Sequence, residues 1–228
     1  MARRKLLVAV AAAALLGAAA WLTTPPALVN AAVRPPLPDD IEAWLADTER
    51  QAAARYALIP DTEKRVTWHG EPGARTAYAV VNLHGFSATR QETAPLAERV
   101  AAALGANLFE TRLAGHGHTR QPLHGVRAED WLADTAEALA IGARLGDRVV
   151  VIGTSTGGTL ALAMSGHAAA APVSDIVLIS PNVQPSDGNA AWLTRPAGPL
   201  IARLIAGDTR RWDAHNERQA RYWSTSYP

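Results

Sequence analysis

The segment Gly153-Thr154-Ser155-Thr156-Gly157-Gly158 interrupts an apolar run at residues 149–152 and is followed by a second apolar stretch of different period at 159–163. A serine framed by glycines between a strand and a helix has the makings of an acyl-transfer nucleophile. The sharp turn strains its backbone and exposes its hydroxyl, and the helix start presents the next amide, that of Thr156, toward a developing oxyanion. Gly153 and Gly157 would stand where the two backbones nearly touch. The competing reading is an ordinary tight turn, because glycine and serine populate those as well.

Two further stretches bear on that choice. His84-Gly85-Phe86-Ser87 closes an apolar run and offers the backbone N–H of Phe86 as a second oxyanion donor. His84 reads as a structural residue that hydrogen-bonds within its loop, and Ser87 as a turn or cap residue. Gly115-His116-Gly117 follows another strand-like run and reads as a loop bordering a pocket, with His116 satisfying backbone groups and His118 exposed. His116, His118 and His124 together could hold zinc, but on a glycine-rich loop with no matching carboxylate neither a metal nor another cofactor is expected.

Elements that would position these residues can be read from periodicity. Asp39 and Asp40 cap a helix over which Ile41, Trp44 and Leu45 recur at helical spacing. Two strands flank a turn at Gly70 to Gly73, the second ending in a nearly continuous apolar run. There follow a helix from about residue 93 to 104 with Pro95 in its first turn, the strand NLFETRL, a helix over about 128–145, the strand DRVVVIG, the helix TLALAMSGHAAA and a buried strand SDIVLIS. Such alternation predicts a doubly wound, mostly parallel α/β sheet with its functional residues at the C-terminal ends of strands.

The 228 residues are 48% hydrophobic, enough for one sizeable core, so a second full domain is not expected. Lys and Arg number 22 against 21 Asp and Glu, without long like-charge blocks, which argues against nucleic acid as a partner. Cysteine is absent, so thiolate metal sites, disulfides and cysteine nucleophiles are excluded. At the N-terminus, Arg3, Arg4 and Lys5 precede 17 uncharged residues, 6–22, at the short limit for a bilayer-spanning helix. Residues 1–22 are expected to be a signal anchor or signal peptide, an uncleaved anchor being favoured, with the domain on the extracytoplasmic side, periplasmic or extracellular, and secreted if the segment is cleaved. Residues 23–40 carry five prolines and read as a linker. Residues 41–181 are then the core, and 182–228, with Trp192, Pro196, Pro199 and Trp212, begin a cap.

The order and spacing of His84-Gly85-Phe86-Ser87, Gly115-His116-Gly117, Glu129-Asp130-Trp131 and Gly153-Thr154-Ser155-Thr156-Gly157-Gly158 resemble the α/β-hydrolases. The likeness is greatest to bacterial carboxylesterases and the monoacylglycerol lipase or lysophospholipase group, which includes serine aminopeptidase-like sequences. It spans about residues 65–181. It implies an α/β-hydrolase fold, Ser155 as nucleophile, the Phe86 and Thr156 amides as oxyanion hole, a small-molecule or lipid ester as substrate, and a cap over an acyl pocket from residue 182. It also implies a catalytic acid and then a histidine on loops after later strands. After Ser155 only His167 and His215 remain. His167 is expected about a dozen residues down the helix that starts at Ser155, out of reach, and His215 on a solvated cap face. The chain is therefore expected to lack the last core strands with the triad Asp and His, and to be inactive as it stands. Two other readings stay open: a noncatalytic binding protein that keeps the pocket, and a zinc hydrolase built on the His116 loop.

Overall fold

In the computed structural model of the protein, the described residues are 2–23, 36–119, 123–184 and 198–227. They divide into two compact units, one within Asn30–Val183 and Arg210–Pro228, the other within Met1–Val29 and Gln184–Thr209. Most of the linker expected at 23–40 and the cap residues Trp192 and Pro196 lie outside the described residues.

The first unit is built on a five-stranded sheet in the order β1-β3-β2-β4-β5, with β1 Arg65–Thr67, β2 Thr76–Leu83, β3 Asn107–Glu110, β4 Gly146–Thr154 and β5 Val173–Ile179. Strands β3, β2, β4 and β5 run parallel, and β1 joins the edge antiparallel to β3. The turn at Gly70 to Gly73 therefore does not join neighbours: β3 lies between the two strands it connects.

Successive residues of a strand face opposite sides of a sheet, and both sides here are covered. Val80, Leu108 and Ile152 pack with Ala97 and Ala101 of helix α3 (Leu96–Leu104). Val81, Phe109 and Val151 pack with Leu139 and Ile141 of α4 (Ala128–Leu145) and with Leu160 and Met164 of α5 (Thr156–Met164), and Ile41 and Leu45 of α2 (Ile41–Arg55) join the same cluster. Asp40 caps α2 by accepting from the Ala43 amide at 2.9 Å.

Two local expectations are corrected. Strand β5 is not buried: it is the edge of the sheet, with Val177 47% and Leu178 38% exposed. An apolar run marks a strand able to be buried on both faces, but only covering elements make it so, and that cover is long-range information. Helix α5 stops at Met164, and His167 instead caps a short 3₁₀ turn, Ala168–Ala170, by accepting from the Ala169 amide.

At the other end of the chain, Arg210–Arg211 (β6) and Ser226–Tyr227 (β7) pair antiparallel around a one-and-a-half-turn helix, Glu217–Tyr222 (α7).

The second unit contains α1 (Ala2–Thr23) and α6 (Gly198–Ala206). The side chains of Leu6, Leu7, Val8, Leu15 and Leu16 in α1 and of Leu200, Leu204 and Ile205 in α6 are exposed. Among the described residues no helix is long and apolar enough to cross a membrane. The span expected over residues 1–22 is accordingly not shown: it is a helix, but its 17 uncharged residues rise about 26 Å, short of a hydrocarbon core of about 30 Å.

Candidate active site

Four parallel strands deliver their C-terminal ends to one edge of the sheet. Strand β2 leads into His84-Gly85-Phe86, β3 into the loop of Gly115-His116-Gly117, β4 into Ser155 and β5 into Ser180. Ser155 has a φ of 49° and a ψ of −115°, a conformation that serine adopts only where its surroundings impose it. The imposition is visible: the Ser155 amide donates to Ile179 O at 2.8 Å, and α5 begins at the next residue.

Glycine is obligatory where the helix start meets β2. A Cβ on Gly157 would lie 2.1 Å from Leu83 O and 2.7 Å from His84 O, and one on Gly153 would lie 2.6 Å from the Gly158 Cα. This close approach seats the elbow against the β2 loop. The position a Cβ would take on Gly85 is 3.2 Å from the Ser155 Cβ, so the His84-Gly85-Phe86 loop and the serine are in contact. The amides of Phe86 and Thr156 donate to no acceptor among the described residues. Two uncommitted N–H groups thus flank a half-buried serine, whose hydroxyl makes no hydrogen bond among the described residues.

The two histidines of the loops have both ring nitrogens engaged. His84 Nε2 accepts the Leu113 amide at 3.1 Å, which leaves the proton on Nδ1 to donate to Gly85 O at 2.9 Å. His116 repeats the scheme: Nε2 accepts from the Ser87 amide at 3.0 Å and Nδ1 donates to Ala114 O at 2.9 Å. The rings meet edge to face at 5.0 Å and tie the two loops together. Burial in apolar surroundings pushes the His84 pKa down to about 3 and that of His116 to about 4. Unfolded imidazoles protonate near 6.5, so between that value and the native ones the unfolded chain binds more protons and these groups destabilise the fold as pH falls. The ring resonances of both residues are expected to stay at neutral, Nδ1-protonated positions from pH 7 to pH 5. Titration near 6.5 in a ¹⁵N spectrum would show the rings to be solvated instead.

Around Phe86 gathers an aromatic wall. Its ring meets Tyr227 at 4.9 Å, Trp131 at 6.0 Å and His116 at 6.2 Å, all edge to face, and Trp131 Nε1 donates to Ala114 O at 3.0 Å. A family model described as an alpha/beta hydrolase family matches residues 80–227, well over half of the chain and inclusive of every residue just placed around Ser155. The chain belongs to that family. A thermostable monoacylglycerol lipase of Bacillus sp. (strain H-257) is 34% identical to this chain over 113 residues, 50% of this chain and 42% of the lipase. The chain thus spans less than half the length of that curated relative. A structure reported with LipS and LipT, two metagenome-derived lipolytic enzymes, aligns with a TM-score of 0.59 at 23% identity, over 75% of this chain and 65% of that one. At that identity the likeness is one of fold.

Several other expectations meet the structure here. His118 is not an exposed loop residue: it is 6% exposed, stacks on Tyr56 at 4.9 Å, and bridges Leu58 of the segment after α2. Gly115 and Gly117, at φ of 76° and 73°, turn the loop so that His116 points inward while His118 meets that segment. Among the described residues no group of three or more His, Asp or Glu is arranged to hold a metal ion, and both His116 nitrogens are already bonded to backbone, so the zinc reading has no structural support. His215 is exposed, with its amide held by Gln219 Oε1.

Sequence reasoning missed three acidic residues here. Glu92 accepts the Gly85 amide at 2.7 Å, Asp134 accepts the Ala114 amide at 2.6 Å, and Glu137 bonds the buried Lys64. For the latter two a signal existed: Asp134, Glu137, Ala138, Ile141 and Leu145 form one buried stripe of α4, so two acids at core positions of the helical period were there to be noticed.

Proposed function

We propose that this hydrolase is a serine esterase or lipase that cleaves carboxylic esters through an acyl-enzyme at Ser155, with small-molecule or lipid esters as substrates. Ser155 Oγ gives its proton to a general base as it attacks the acyl carbon, the carbonyl oxygen becomes an oxyanion between the amides of Phe86 and Thr156, that proton passes to the departing alcohol, and water, deprotonated in turn by the same base, releases the acid. The observation that carries the reading is the strained Ser155 at the junction of β4 and α5, in contact with Gly85 and flanked by two uncommitted amides. The likeness to a monoacylglycerol lipase supports an ester as the bond cleaved. The basic residues Arg3, Arg4 and Lys5 in the first turn of α1 further suggest a domain on the extracytoplasmic side of a membrane, which protease protection of a tagged protein in intact cells tests.

The test is Ser155→Ala in the full-length gene product, assayed with p-nitrophenyl butyrate and monoacylglycerols. Loss of turnover with an unchanged melting temperature is expected, and undiminished hydrolysis would overturn the reading. One observation favours a second reading: Ser155 Oγ meets no base among the described residues, as in a binding protein that keeps the pocket without the chemistry. Saturable binding of monoacylglycerol by a full-length wild-type protein with no turnover would select it.

A further inference from the structure

The carboxyl of Glu92 lies against the site and has no role in the acyl-transfer scheme. We propose that Glu92 is a positioning residue for the oxyanion hole: by holding the Gly85 amide it fixes the one flexible residue that aims the Phe86 N–H. The inference rests on the acyl-transfer reading of Ser155.

The two peptide planes on either side of Gly85 show how. In the plane that follows it, Gly85 O accepts from His84 Nδ1 at 2.9 Å and from the Ala88 amide at 3.3 Å. A trans peptide directs its N–H opposite to its C=O, so the Phe86 N–H points away from those donors and is left without an acceptor. In the plane that precedes it, the Gly85 N–H donates to Glu92 Oε2 at 2.7 Å. Glycine has no Cβ to restrict its dihedrals, and a residue between two anchored planes keeps little freedom to rotate. With Glu92 removed, only one plane remains anchored. A Cβ on Gly85 would lie 2.9 Å from Glu92 Oε1 and 3.2 Å from Ser155 Cβ. The carboxyl and the nucleophile therefore flank the same point from two sides.

Glu92 is itself held in a fixed frame. It ends a 3₁₀ turn, Arg90–Glu92, with its amide on Thr89 O at 2.8 Å. Arg90, 3% exposed, reaches Glu63 at 3.3 Å and Glu110 at 3.6 Å, while Gln91 Nε2 donates to Asp61 O at 3.1 Å. From α7, Arg218 Nη2 donates to Gln91 O at 2.6 Å and to Ala94 O at 2.9 Å. The turn is tied to three separate segments, and the one side chain that points out of it toward the elbow is the carboxyl. Partial burial raises the pKa of that carboxyl and the Gly85 amide opposes the rise, as suits a half-buried group whose ligand is a single N–H.

The experiment compares Glu92→Ala and Glu92→Gln at two levels. In the chain of residues 1–228, ¹H–¹⁵N spectra and hydrogen exchange read the brace without need of turnover. Glu92→Ala is expected to shift the Gly85 and Phe86 amides and to speed Gly85 exchange at least tenfold, and Glu92→Gln, which keeps an acceptor, to restore most of the protection. In the full-length gene product, Glu92→Ala is expected to lower kcat about tenfold or more with KM unchanged, less than the roughly hundredfold or greater cost of deleting an oxyanion donor outright. Glu92→Gln should recover part of that loss. Wild-type amide positions and kcat in Glu92→Ala, beside a dead Ser155→Ala control, would overturn the role of Glu92 alone. An active Ser155→Ala control would overturn the acyl-transfer reading beneath it.

Discussion

Ser155 is expected to remain unlabelled by a fluorophosphonate in a protein of residues 1–228, reacting about a millionfold more slowly than the nucleophile of a serine hydrolase whose base is within hydrogen-bond reach. The figure follows from what removal of the base costs in a well-studied case, about 10⁶ in kcat, or on the order of 8 kcal/mol of barrier. No hydrogen bond reaches Ser155 Oγ among the described residues. The two nearby imidazoles cannot be recruited without dismantling the loops, because each uses Nε2 to accept one backbone amide and Nδ1 to donate to one backbone carbonyl. Their depressed pKa values make them poor proton acceptors as well. As an oxyanion hole the amides of Phe86 and Thr156 would stabilise charge only after attack and do nothing to make the hydroxyl more nucleophilic, so a small residual rate is all they would leave. Stoichiometric labelling within minutes would overturn this expectation. It would mean that a base reaches Ser155 within these residues, and His215, whose ring makes no hydrogen bond among the described residues, would be the first to replace.

What could be read from the sequence and what could not divide along the range of the interactions concerned. The strand, turn and helix around Ser155 were legible because their constraints are local. A strained serine needs small neighbours, and the glycines that allow contact between α5 and β2 lie within three residues of it. Helix α4 was legible for a similar reason, its apolar stripe being continuous over 18 residues. Partners distant in the chain were not. That β1 pairs with β3 rather than β2 is a statement about residues about 40 positions apart, and the exposure of β5 depends on what covers it rather than on its own apolar run. The burial of His118 depends on a bridge to Leu58. Glu92 carries no signature at all: its neighbours Arg90 and Gln91 are polar, and the stretch reads as solvated loop until the fold brings the Gly85 amide to it.

The largest effect on stability is expected from a residue equally silent in the sequence. Lys64 is buried, with its ammonium between Glu137 Oε1, to which it donates, and Asp134 Oδ1 at 3.8 Å; the three side chains are 7%, 3% and 4% exposed. Lys64→Met removes the cation from between two buried carboxylates and leaves their charge to be borne in a low-dielectric core. Breaking a buried ion pair from one side in this way costs about 3–5 kcal/mol, a large share of the roughly 5–15 kcal/mol by which domains are stable. The damage should not stay local, because Asp134 Oδ2 also accepts the Ala114 amide at 2.6 Å, and Ala114 O accepts from both His116 and Trp131. A disturbed carboxylate at Asp134 therefore reaches the loop that shapes the Phe86 wall. Urea denaturation at pH 7 is expected to show the loss in Lys64→Met and its partial recovery in Lys64→Met with Glu137→Leu, since replacing both members of a buried pair by apolar groups is often near neutral. Were Lys64→Met to lose less than about 1 kcal/mol, the value typical of an exposed pair, the three groups would be solvated in solution and the Asp134 link to the loop would carry no structural weight.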